Sequence, residues 1–116
     1  MDIETVRTIC KELPHVTEDV KWEHDLVFSI GLKMFCVTGL DETPVSVSFK
    51  VTNEEFEELS NSSGFRPAPY VARYKWVLLE DISMLKKSEL QAYIRQSYEL
   101  VKAKLPAKIR KELDNQ

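Results

Sequence analysis

The chain of 116 residues carries 16 Lys and Arg against 19 Asp and Glu, with 43% apolar residues and two cysteines. One domain of this size buries a core without staples, and two cysteines outside any metal-type spacing exclude a disulfide framework. No run of 18 apolar residues is present, which excludes a membrane-spanning helix, and the acidic start Met1-Asp2-Ile3-Glu4 is unlike a secretory signal, so the expected setting is the cytoplasm.

Ile3, Val6, Cys10 and Leu13 fall on one helical stripe, with Asp2 placed to cap its start and Pro14 to end it. Cys10 on that stripe reads as a small buried hydrophobe rather than a reactive thiol. From Val20 to Val51 the pattern is that of strands. Val20 and Trp22 alternate with Lys21 and Glu23, and Leu26, Phe28 and Ile30 alternate with Val27 and Ser29. In Lys33 to Thr38 the alternation puts Phe35 and Val37 on one face, Met34 and Cys36 on the other. Gly31-Leu32-Lys33 is a tight hairpin turn and Gly39 to Pro44 a longer one. Val45, Val47, Phe49 and Val51 then alternate strictly with Ser46, Ser48 and Lys50, as in a strand with one wet face.

Thr52 and Glu55 are spaced as a capping box for a short acidic helix with Phe56 and Leu59 inward. Residues 60–72, with a Ser/Asn/Gly cluster and Pro67 and Pro69, read as irregular. Trp76 to Leu79 is a buried strand. Ser88 with Gln91 suggests a second capping box, and Leu90, Ile94, Ser97/Tyr98, Val101 and Leu105 run along one face of a long helix that Pro106 stops. The last ten residues form a short or frayed helix. No repeat, linker or low-complexity tract divides residues 1–116, which form a single domain. Strands in a block between helices predict an α+β fold in which an antiparallel sheet and its helices form two layers.

Few residues invite chemistry. The glycines at 31, 39 and 64 are isolated, so there is no phosphate loop. His15 and His24 are not at metal-ligand spacing, and no nucleophile elbow is present, so neither metal nor cofactor is expected. His24 beside Asp25 is a candidate base, although neighbours on a strand point opposite ways. The most unusual stretch is Arg66 to Trp76, where Arg66, Arg73 and Lys75 interleave with Tyr70, Tyr74 and Trp76. Aromatics stack on bases and cations meet phosphates, but a proline-stiffened loop packed on the sheet explains the same residues. Charge is also uneven. Residues 1–65 hold 5 basic and 13 acidic side chains, a balance of −8; residues 66–116 hold 11 and 6, a balance of +5. The basic end includes Lys102, Lys104, Lys108, Arg110 and Lys111, so an anionic partner is expected there.

Four stretches carry a family resemblance: Phe28-Ser29-Ile30-Gly31-Leu32-Lys33-Met34-Phe35, Gly64-Phe65-Arg66-Pro67-Ala68-Pro69-Tyr70, Arg73-Tyr74-Lys75-Trp76-Val77, and Ser97 to Pro106. Together with Pro14 to Trp22, and in this order, they resemble the MmcQ/YjbR family of small bacterial proteins. Trp22-Glu23-His24-Asp25 departs from the Trp-Gly-His-Pro-like pattern common there. The resemblance implies a fold similar to type III secretion chaperones, ordered helix, three strands, helix, two strands, helix, whereas the pattern above places four strands before the acidic helix. It also implies DNA binding through a double wing of hairpins. The expectation is therefore a non-enzymatic binding protein, monomeric or weakly dimeric, with weak, backbone-directed affinity for double-stranded DNA. Its candidate contacts are Lys33, Arg66, Arg73, Lys75, Lys102, Lys104 and Lys108. The alternative is a protein-interaction or small-ligand module using a groove around Tyr70, Arg73, Trp76 and Tyr98.

Overall fold

In the computed structural model, which describes residues 2–115, the first helix α1 (Ile3–Lys11) starts where the Asp2 carboxylate accepts the Glu4 and Thr5 amides at 3.0 and 3.3 Å. These amides have no intrahelical partner, so the side chain satisfies them. Val6, Ile9 and Cys10 are buried. The Arg7 guanidinium grips Glu18 through two bonds of 2.7 and 2.9 Å and thereby ties α1 to the first strand.

Six strands follow: β1 (Thr17–Lys21), β2 (Asp25–Ile30), β3 (Lys33–Gly39), β4 (Val47–Lys50), β5 (Phe65–Pro67) and β6 (Trp76–Leu79). They form one sheet in the order β1-β2-β3-β4-β6-β5, with every neighbouring pair antiparallel. Helix α2 (Asn53–Ser60) lies between β4 and β5 in the chain, and α3 (Lys87–Ala103) and α4 (Ala107–Asp114) end it. Helices α1 and α3 cover one face of the central strands, and α2 packs on β5 and β6. The result is the expected α+β architecture. Four strands precede the acidic helix, as the alternation at Val45 to Val51 indicates, and two follow it, as the family resemblance implies.

Several expectations need correction. The first strand runs from Thr17 to Lys21, and the two apolar residues that suggested it are exposed, Val20 at 60% and Trp22 at 64%. In β3 the alternation breaks. Phe28 pairs with Cys36 but Ser29 pairs with Met34, so Phe35 is an extra residue, a β-bulge. Phe35 and Cys36 therefore both enter the core beneath the helices, while Met34 and Val37 share the opposite face. The bulge leaves the Phe35 carbonyl without a strand partner. Buried Ser97 on α3 supplies one: its hydroxyl donates to Phe35 O at 2.6 Å and accepts the Lys50 amide at 2.9 Å.

Residues 60–72 are not wholly irregular, because Phe65–Pro67 pairs with Val77–Leu79. Proline is tolerated there because β5 is the sheet edge and no neighbour needs its missing N–H. Helix α3 begins at Lys87, not at a Ser88 cap. The Glu89 carboxylate accepts the Lys86 amide at 3.0 Å, which is half of a capping box, and a lysine side chain has no acceptor for the other half. The Thr52–Glu55 box is complete.

The long stripe of α3 is as expected, with Leu90, Ile94, Ser97, Tyr98 and Val101 buried, and Leu105 beyond it. Tyr98 meets Phe35 edge-on at 5.4 Å, and its hydroxyl donates to Pro14 O at 2.8 Å. Gly31 closes the β2–β3 hairpin at φ 56, and a Cβ there would stand 2.7 Å from Leu105. The hairpin tip is thus pressed against the α3–α4 junction, which only glycine permits.

Candidate functional site

Antiparallel pairing brings the start of β3, the end of β4 and the start of β6 to one edge of the sheet, since Lys50 faces Trp76 and the Val51 amide bonds to Lys75 O at 2.8 Å. Lys33, Lys50 and Lys75 therefore lie along this edge, and α3 delivers Lys104 to it. The Lys50 ammonium sits close enough to those of Lys104 and Lys75 that its pKa is pushed down, first by partial burial and then by their charges. Its Nζ donates to the Tyr74 carbonyl. Among the described residues, none of Lys33, Lys50, Lys75, Lys104 and Lys108 forms an ion pair with a carboxylate. Like charges held together without a counter-charge raise the local potential and attract anions. Lys50 escapes sequence reasoning because it occupies the outward position of an ordinary alternating strand; only the register across β4 and β6 places it among the other lysines.

The remaining cationic candidates are dispersed. Arg66 lies on the other face of the sheet, 3.7 Å from Glu80. The Arg73 guanidinium stacks over the Tyr74 ring at 4.8 Å. Lys102 is 3.8 Å from Asp114 and 5.9 Å from the Tyr98 ring, and Lys108 stands exposed on α4. The Lys75 ammonium also sits 5.0 Å over the Phe56 ring of α2, so the carboxylates of that helix flank the basic edge.

The sheet face turned away from α1 and α3 holds a cavity of about 560 Å³. Its floor is Met34, Val37, Ser48, Trp76 and Leu78, the residues that alternate with the core set plus those the bulge redirects. Trp22 from the β1–β2 turn and Tyr70 from the β5–β6 loop stand at its rim, with Asp25, Glu42, Ser46 and Arg66 on its walls. Gly39 lies beneath Glu42, and a Cβ there would come within 2.7 Å of the Glu42 side chain. The Ser46 hydroxyl donates to the Glu42 carboxylate. Partial burial, and next the charge of Glu42, raise the Asp25 pKa above its ordinary value.

Two members of the expected groove, Tyr70 and Trp76, line this cavity; Arg73 does not, and Tyr98 lies across the sheet in the helical layer. His24 does not pair with Asp25. Its Nδ1 is 3.2 Å from Asp41, both groups are exposed, and no buried proton relay forms. Trp22 and Tyr70 both have a left-handed backbone, at φ 53 and 69. Sequence patterning did not bring Asp25 and Glu42 together: Asp25 opens β2, Glu42 lies in the turn after β3, and the pairing of Asp25 with Gly39 sets them near each other. No described trio of His, Cys, Asp or Glu is arranged to hold a metal ion.

Comparison with known proteins gives the chain a family. The crystal structure of the Deinococcus radiodurans protein DR2400, described by the domain DUF419, is similar with a TM-score of 0.87 and 29% identity, over 97% of this chain and 87% of that one. The crystal structure of a Pseudomonas syringae protein is similar with a TM-score of 0.71 and 18% identity, over 86% of this chain and 98% of that one. No curated protein matches. The family model YjbR matches residues 11–100, and on that match the chain belongs to the YjbR family.

Proposed function

We propose that this protein is a non-enzymatic binding protein that holds the phosphate backbone of double-stranded DNA, weakly and with little regard to sequence, along the edge formed by Lys33, Lys50, Lys75 and Lys104. The observation that carries this reading is the convergence of the Lys50, Lys75 and Lys104 ammoniums with no described carboxylate paired to them. Such a group binds an anion that supplies several charges at a regular spacing, and a duplex backbone does so. The β2–β3 hairpin adjoins this edge as one wing, with Lys33 just beyond its exposed Leu32 tip. Lysines at strand ends contact phosphates rather than base edges, so they position without specifying.

The flanking carboxylates of α2 and the net charge of −3 restrict the footprint to a narrow stripe. Affinity is therefore modest, with Kd on the order of 10⁻⁴ to 10⁻⁶ M at physiological salt, and it falls as salt rises. Fluorescence anisotropy of labelled duplexes of unrelated sequence, titrated at two salt concentrations, tests the proposal. Equal affinities for the duplexes and a steep salt dependence are expected. Absence of binding at low salt overturns it.

A further inference from the structure

We propose that the open face of the sheet is a second binding site, and that its ligand is a small organic cation: an amine or quaternary ammonium carried on an aromatic or alkyl body. The cavity of about 560 Å³ falls within the usual range for small-molecule sites, roughly 300–1,000 Å³. Apart from Ser48, its floor of Met34, Val37, Trp76 and Leu78 is apolar, which suits the body of such a ligand. Its walls carry Asp25 and Glu42, and charge complementarity selects the head group.

Asp25 is the informative residue. Partial burial and the charge of Glu42 make its ionised form costly, and the exposed His24 beside it offsets this only in part. An ammonium seated between Asp25 and Glu42 would relieve that repulsion, whereas an anion would add to it. Arg66, the cation on these walls, lies beside Glu80, and among the described residues it forms no ion pair with Asp25 or Glu42. At the rim, Trp22 is 64% and Tyr70 99% exposed, each on a turn with a left-handed backbone. Two aromatic faces held at the mouth of an acidic cavity are suited to enclosing a cation, because the ring quadrupole attracts positive charge. Such a backbone costs free energy in a bulky residue and is found where a side chain must be displayed. The site lies across the sheet from the contacts that α1 and α3 make, so it can be occupied without disturbing the core.

Three probes with the same ring test the proposal on the full chain: phenethylamine, 2-phenylethanol and phenylacetate. Each is titrated into ¹⁵N-labelled protein while amide shifts are followed. Phenethylamine is expected to shift the amides of residues 34–37, 46–48, 66, 68, 70, 71 and 76–78, with Kd on the order of 1 mM, the scale usual for a ligand of so few atoms. The alcohol should bind several-fold more weakly and the acid at least tenfold more weakly. Asp25→Asn and Glu42→Gln should each erase most of the preference for the amine, while Lys50→Gln, on the other edge, should leave it unchanged. Equal affinity for the three probes, preference for phenylacetate, or no shifts at these residues would each overturn the proposal. So would shifts of the same amides on dilution alone, which would assign the face to a second copy of the chain. The probe comparison uses wild-type protein, so it stands even if a variant folds poorly, and it is independent of whether DNA binds.

Discussion

The two faces of the sheet are built from the same strands and are both apolar, yet only one of them is closed. Under α1 and α3, Phe28, Phe35, Phe49, Val77 and Leu79 meet Val6, Leu90, Ile94 and Tyr98 and lose all contact with water. On the other side Met34, Val37, Trp76 and Leu78 line a cavity that only turns and the Ala68 to Val71 loop border. Alternation by itself does not tell these faces apart, because both strand phases are apolar. The difference arises from the number of helices, which suffices to cover one face, and from the bulge at Phe35, which sends one large side chain inward and leaves the outer face shallower. Apolar surface that a protein leaves open is where binding is to be sought.

The largest test of this contrast is Leu90→Ala on the closed face. Leu90 is fully buried, and its truncation should cost roughly 2–5 kcal/mol by denaturant unfolding. The equivalent truncation on the open face, Leu78→Ala, should cost less than about 1.5 kcal/mol, because water already reaches that side and the cavity term is small. Equal losses would mean that the two faces are packed alike. Ser97→Ala comes between them. It leaves the Phe35 carbonyl and the Lys50 amide unpaired next to the core and should cost about 1–3 kcal/mol, visible as a lower denaturant midpoint at unchanged slope.

The smallest expected gain is from Glu23→Gly. Glu23 has φ 67, a left-handed backbone that glycine adopts without strain, and relief of that conformation should stabilise by up to about 1 kcal/mol. A loss instead would show that the glutamate makes a stabilising contact. Cys10 and Cys36 are free and buried, and burial together with its cysteine neighbour raises the Cys10 thiol pKa far above its ordinary value. Reductant or chelator should therefore leave the melting temperature within a few degrees, and a larger shift would reveal a staple.

Much of the closed face was legible in the sequence. The α1 and α3 stripes, the Thr52–Glu55 box and the alternation of β4 are local patterns, and each is repeated over several residues. What was not legible depends on pairing. Phe35 looks like any alternating residue until its register with Phe28 is known. Strand β5 is three residues long and contains a proline that only an edge position tolerates. Trp22 reads as a strand residue because hydrophobicity does not distinguish a buried ring from a displayed one. The candidate sites depend on pairing still more. Lys50, Lys75 and Lys104 come from three distant segments, and so do Asp25, Glu42 and Tyr70. The proline loop did point to Tyr70 and Trp76, but assigning Tyr98 to the same groove failed because its α3 stripe faces the closed side.

If phosphate binding resides in the basic edge, as proposed, the salt dependence of duplex affinity must report it. Each lysine–phosphate contact contributes about −0.9 to the slope of log affinity against log salt. Lys50→Gln with Lys104→Gln removes two neighbouring ammoniums and keeps the Lys50 amide bonded to Ser97. Measured by anisotropy on the wild type and the double variant, the slope should become shallower by about two units, with affinity reduced alike for all sequences. An unchanged slope and affinity in a folded double variant would contradict the account and place the duplex elsewhere on the protein.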